Sequence, residues 1–222
     1  MKHFFKSSVK AIFIGFLLIS LSGCTVVLQK RRASDIEKIE SLSEQVKRLK
    51  MTEGQLLKLK EAYAALEKGL SREIGDKKVS LGIEQRGLVI TFVDSVLFDS
   101  GKAKLLPQAY EALDKVVGVC RKVVANREIG IEGHTDNQPI KYSGWESNWE
   151  LSTARATSVL HYLAEKGVSP ERLSATGFGK YRPVATNETT EGQQKNRRVE
   201  IIILSEKISR LKEQAPRGKY VK

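Results

Sequence analysis

The sequence predicts an α+β domain, a two-layer sandwich in which helices pack on one face of a mixed sheet, preceded by a helical or coiled-coil segment. Three observations carry that prediction. Between Val79 and Leu204, short runs of alternating apolar residues take turns with stretches whose apolar residues recur every three or four positions, so strands and helices alternate. Val199 to Leu204 is dense in β-branched residues and reads as a buried strand. Residues 34–73 hold no proline and carry a stripe at strict seven-residue spacing.

Met1 to Cys24 has Lys2, Lys6 and Lys10, then an apolar run from Ala11 to Leu21, then Ser22-Gly23-Cys24. That order is a secretory signal. This eleven-residue run falls well short of the roughly 20 apolar residues that span a bilayer. Leu21-Ser22-Gly23-Cys24 resembles a bacterial lipobox, which implies removal of residues 1–23 and a lipid on Cys24. Cys120 is then the one remaining thiol, which excludes an intrachain disulfide. Losing three lysines lowers the formal charge from +12 to +9. A basic exported protein points to anionic lipid or an anionic polymer rather than nucleic acid. Residues 24–33 form a linker whose Gln29 to Arg32 patch suits lipid head groups. Thr25 differs from the aspartate that resembles an inner-membrane retention signal, so an outer-membrane lipoprotein facing the periplasm is expected.

In residues 34–73 the stripe is Leu42, Leu49, Leu56, Tyr63 and Leu70. Ile39 and Val46 precede it by three positions in the first half, whereas Leu59 and Leu66 follow it by three in the second. The change of phase falls near Met51 to Gly54 and predicts two helical pieces, forming a coiled coil or a hairpin. Such a segment serves as a spacer of roughly 60 Å or as a homo-oligomerisation element.

The domain, residues 79–205, opens with a hairpin: Val79, Leu81 and Ile83 alternate, Gln85-Arg86-Gly87 turns, and Leu88 to Val93 returns. Leu97 to Gly101 follows as a loop. Leu106, Ala109, Leu113, Val116, Val117, Cys120 and Val124 mark the buried face of a helix over 107–124, which makes Cys120 structural. Glu128 to Gly133 is a strand, and Asn148 is the expected cap of a helix over 149–166 that Gly167 and Pro170 stop. Leu173 to Gly177 is a short strand, and 177–190 is a polar loop. Residues 206–222 are expected to be a short helix and a basic tail.

Asp136 sits just past a strand end, and Ser152 and Arg155 share a face of the following helix. Two readings stand. The two charges pair with each other, or they receive a ligand carrying both an ammonium and a carboxylate, each end finding a charge-assisted partner.

Phe98-Asp99-Ser100, Gly133-His134-Thr135-Asp136-Asn137, Asn148-Trp149-Glu150-Leu151-Ser152, Ala154-Arg155-Ala156, Gly177-Phe178-Gly179 and Asn196-Arg197-Arg198-Val199-Glu200 together resemble the OmpA-like peptidoglycan-binding domain over residues 88–204. The resemblance implies non-covalent binding of the diaminopimelate of the peptide stem, with Asp136 on the ammonium and Arg155 on the carboxylate. It also implies that Asp99, Ser100 and Thr135, with Asn148, Leu151 and Ser152, line the pocket. Asn196 and Arg197 match its late motif, with a site role or a structural one. Trp145 and Trp149 either pack against a glycan or staple the loop. Each of Asp136→Ala and Arg155→Ala is expected to abolish wall binding with the fold intact.

The stretch Gly133 to Ile140, followed by Ser147 to Ala156, is most similar to the flagellar stator B version of the domain. A motor role requires a spanning helix with an aspartate, and Ala11 to Leu21 has no charge, so the likeness extends to the binding module alone. No cofactor is implied. His134 and Asp136 begin a metal pair without an evident third ligand. Serine hydrolase chemistry lacks its G-x-S-x-G elbow, and a wall hydrolase built on Glu132 and Asp136 is opposed by the strand alternation that turns Glu132 away.

Overall fold

A computed structural model describes residues 35–46, 53–141 and 144–205. The signal, Cys24, the basic linker, the phase change near Met51 and the C-terminal 206–222 lie outside the described residues. The chain divides into two units, residues 1–54 and 55–222.

In the first unit, 35–46 is helical, with Ile36, Ile39, Leu42 and Val46 exposed. Helix α1 is helical from 53 to 69, and from Gln55 onward it belongs to the second unit. Its Leu59, Ala62, Leu66 and Leu70 are buried and belong to the core of the domain. Leu59 to Leu70 of the 34–73 segment thus contribute to the domain core. The spacing 59, 62, 66, 70 is that of a helix laying one face on a globular core, and the same leucines that suggest a heptad satisfy it. Leu66→Ala should accordingly lower domain stability by about 2–5 kcal/mol. Urea unfolding checks this, and a change within error would detach α1 from the core.

After the short helix α2 (Ser71–Gly75), strands β1 (Val79–Glu84) and β2 (Gly87–Val93) form the expected hairpin. A single turn, α3 (Asp94–Leu97), leads to an isolated bridge between Phe98 and Leu105, then α4 (Ala109–Lys122), β3 (Ile129–His134), α5 (Asn148–Glu165), β4 (Leu173–Gly177), α6 (Thr190–Asn196) and β5 (Arg198–Leu204). The five strands lie in the order β1-β2-β5-β3-β4. Only β3 and β4 are parallel, and α5 supplies the crossover that a parallel pair requires.

One face of the sheet carries Leu88, Ile90 and Phe92 beside Val199, Ile201 and Ile203, with Ile129 and Ile131 beyond them. These join residues of α1, α4 and α5 in one apolar core, so the helices cover this face. β5 is central and buried along its whole length, which explains its β-branched composition. Cys120 is fully buried on the α4 face, and burial pushes its thiol up to about 12, so it is an inert core residue.

Gly133 fixes how closely α5 approaches β3. A Cβ there would collide with the Ser152 carbonyl. That contact brings the first turns of α5 onto the end of β3, where Asp136 leaves the sheet.

Candidate functional site

Past the C-terminal end of β3 the chain turns away, and a cavity of about 830 Å³ opens between this turn, α3, the 98–102 loop, the start of α5 and the end of α6. Of the residues expected to form the site, Ser100, Thr135, Asp136, Asn148, Leu151, Arg155 and Arg197 line it. Asp136 and Arg155 do not pair with each other. Asp136 accepts the Gln138 N–H at 3.1 Å through Oδ1 and the Arg197 guanidinium at 2.5 Å through Oδ2.

Arg155 is 3% exposed and is held from three directions. Nε donates to the Lys102 carbonyl at 2.9 Å, Nη2 reaches the Asp99 carbonyl at 3.4 Å, and Nη1 lies 2.9 Å from Asp94 Oδ1. The last contact is ionic but poorly aligned, and Oδ1 lacks a well-formed hydrogen bond among the described residues. Phe98 lies under the guanidinium, 5.3 Å from ring centre to carbon. The site therefore holds two charges of opposite sign, each fixed by its own partner, with N–H groups of the five-donor guanidinium left over.

Asp94 is the residue that the sequence reading missed. Its signal was a lone carboxylate inside the apolar stretch Leu88 to Phe98. It is buried, and desolvation pushes its pKa up to about 6 against the opposing pull of Arg155 and Arg197. An acid whose folded value is raised binds its proton more tightly in the folded state. Its contribution to stability is thus complete below 3.8 and is lost as pH rises through about 6, on the order of 3 kcal/mol in all. Asp94→Asn should remove that slope. Urea titrations at pH 4.5 and 7.5 would show it, and an unchanged difference between the two pH values would refute it.

Three expected site residues do other work. Asn196 is fully buried; its Oδ1 accepts the N–H groups of Val184 and Ala185, and its Nδ2 donates to the Ala185 carbonyl and Asn187 Oδ1, so it braces the 184–187 loop. Ser152 is also fully buried. Its hydroxyl accepts from Gly179 N–H and donates to the Trp149 carbonyl. The Asp99 carboxylate turns out to Lys102 at 3.3 Å, and only its carbonyl serves Arg155.

Ser147, not Asn148, caps α5. Its hydroxyl accepts from Trp149 N–H and donates to Glu150, a capping box read one residue too late from sequence. Asn148 is thereby free to donate to the Gln138 carbonyl at 2.9 Å and hold the 137–141 loop over the cavity. Trp145 staples the same region through Nε1 to the Gly101 carbonyl. Trp149 does not; it stacks on Tyr181 and stays exposed.

The opposite face of the sheet carries a separate polar cluster. Arg86 bridges Glu132 and Glu200, and Arg198 holds Glu200 from the other side. His134 lies here, stacked on Phe178, with burial and then Arg198 holding its pKa down to about 4, so it is neutral. Donor atoms of Glu132, His134 and Glu200 lie within 4.8 Å of one another. Two guanidinium groups already neutralise the two carboxylates, which leaves little field to attract a cation. Because Arg86 engages Glu132 on this face while Asp136 lines the cavity, those two carboxylates do not share a site.

Residues 97–197 match the OmpA family. Motility protein B of Bacillus subtilis (strain 168) is 44% identical over 140 residues, 59% of this chain and 52% of that protein. The peptidoglycan-binding protein ArfA of Mycobacterium tuberculosis (strain ATCC 25618 / H37Rv) is 38% identical over 109 residues, 49% of this chain and 32% of that protein. The chain thus spans about half the length of the first relative and a third of the second. Among solved structures, the cell wall anchor of the T6SS from Pseudomonas aeruginosa superposes with a TM-score of 0.58 at 33% identity, covering 64% of this chain and 97% of that one.

Proposed function

The chain belongs to the OmpA family, and from that premise we propose that it binds peptidoglycan non-covalently through the zwitterionic end of the peptide stem. The observation that carries the reading is the cavity in which Asp136 and Arg155 are exposed to one ligand without neutralising each other. In diaminopimelate an ammonium and a carboxylate share one carbon. The ammonium replaces Arg197 on Asp136, and the carboxylate takes the remaining N–H groups of Arg155. Arg197 is more than a third exposed and is free to swing away or to meet a second carboxylate. The names of the relatives, a peptidoglycan-binding protein and a cell wall anchor, support the same ligand. Binding alone suffices, and no reaction is proposed.

The test is retention on purified sacculi, competed by a free diaminopimelate-containing stem peptide. Release by that peptide, and none by a lysine-containing analogue lacking the second amino acid centre, is the expected result. Retention that the free peptide leaves untouched would refute stem recognition.

The protein further acts, in our reading, as an outer-membrane lipoprotein that tethers its membrane to the wall through lipid on Cys24. One weak contact per stem is enough for this, because an anchored protein facing a polymer of repeated stems sees a high effective concentration. Palmitate should label the wild type and not Cys24→Ser; an unlabelled wild type would remove the tether. The likeness to motility protein B extends over about half of that protein, and we propose no motor role from it.

A further inference from the structure

Beside the cavity, two large aromatic side chains stand exposed, Trp149 at 44% and Tyr181 at 61%. Their rings stack with centroids 5.0 Å apart and planes 24° from parallel. We propose that this pair is a platform for the glycan strand of the wall, binding the apolar face of a pyranose next to the stem held in the cavity. The proposal rests on the stem-binding reading and extends it to a second part of the same polymer.

The platform is built rigidly and is continuous with the site. Trp149 follows Asn148, which lines the cavity, and its backbone N–H is fixed by the Ser147 cap. The turn that carries Tyr181 is tied at both ends. Gly179 accepts from Thr135 N–H, another cavity residue, and donates to Ser152 Oγ, while Tyr181 N–H donates to the Phe178 carbonyl. Gly179 adopts a left-handed φ of 52°, and a Cβ there would press on the Asn148 backbone at 3.4 Å, so glycine lets this turn lie against the start of α5. Both rings are therefore anchored through residues adjoining Thr135 and Asn148.

The chemistry favours sugar over protein. Partly buried and stacked on each other, the two rings offer well under the roughly 300–500 Å² of two whole aromatic side chains, far short of the roughly 800 Å² per partner of a standard protein interface. The electron-rich faces of the rings match the weakly positive C–H bonds on one face of a pyranose. Lys180 Nζ stands 5.8 Å from the Tyr181 ring centre and supplies a donor for hydroxyl or carboxylate groups at the sugar rim. The indole N–H of Trp149, in contrast to that of Trp145, makes no hydrogen bond among the described residues and is available to the same ligand.

The test uses the full-length protein in detergent and two probes: glycan strands stripped of stems by an amidase, and the free stem peptide. Trp149→Ala and Tyr181→Ala should each weaken glycan binding tenfold or more, leave stem-peptide affinity within twofold, and leave the melting temperature unchanged. Trp149→Phe and Tyr181→Phe, which keep the rings, should retain glycan binding. Wild type that ignores stem-free glycan, or alanine variants that bind it as wild type does, would overturn the platform. Failure of the wild type to bind the free stem peptide would instead strike the stem-binding reading.

Discussion

Replacing Asp136 with alanine is expected to abolish retention on sacculi while leaving the melting temperature close to that of the wild type. Asp136 is buried except toward the cavity, and it holds only Gln138 N–H and Arg197. The first is a backbone donor at an exposed loop residue, and the second sits on a side chain that water reaches, so neither is stranded when the carboxylate goes. The ligand ammonium, in contrast, loses its charged acceptor. A charge-assisted hydrogen bond is worth about 1.5–3 kcal/mol, roughly a ten- to 150-fold loss, and the Arg197 guanidinium, no longer neutralised by Asp136, then repels the ammonium as well. A contact that is weak to begin with falls below detection in co-sedimentation. Asp136→Asn isolates the charge, since it keeps an acceptor for Gln138, and it should fail nearly as badly. Normal sedimentation of both variants would remove Asp136 from the site.

How much of this was legible in the sequence depends on how each residue is used. Period-two alternation located β1, β2 followed as the returning apolar run, buried on both faces, and the three-and-four spacing located α4 because one face meets the sheet. The 34–73 segment was harder. A heptad stripe and the buried face of a domain helix differ by only about 20° per seven residues, so Leu59, Leu66 and Leu70 fitted a spacer until the core that receives them was visible. The site divides in the same way. Asp136 and Arg155 stand out as charges at element ends, but their partners are far apart in sequence: Arg197 comes from the end of α6, and Asp94 from a turn before α4. Mutual pairing looked reasonable for lack of those partners. Asn196 and Ser152 belong to the family motifs and are invested in loop geometry, a distinction that a motif alone does not make.

Those partners also change what Arg155→Ala means. Sequence reasoning expects the variant to lose binding with the fold intact. The structure gives Arg155 a buried carboxylate, two carbonyls and an aromatic face, so truncation leaves Asp94 as an uncompensated buried charge and two carbonyls without their donor. Breaking a buried pair from one side costs about 3–5 kcal/mol, and the variant should be destabilised by that order at pH 7.5, measured by urea unfolding. The cost has a direction with pH. Asp94 already titrates near about 6 with Arg155 beside it, and without that attraction its value rises further, so at pH 5 the carboxyl is neutral and the variant should lose less. A double-mutant cycle separates the two roles of the arginine. Asp94→Asn combined with Arg155→Ala removes the stranded charge and should recover a large part of the stability while recovering no wall binding. Recovery of both would reduce Arg155 to a scaffold, and recovery of neither would mean that the carbonyls of Asp99 and Lys102, not the ion pair, are what the guanidinium chiefly holds.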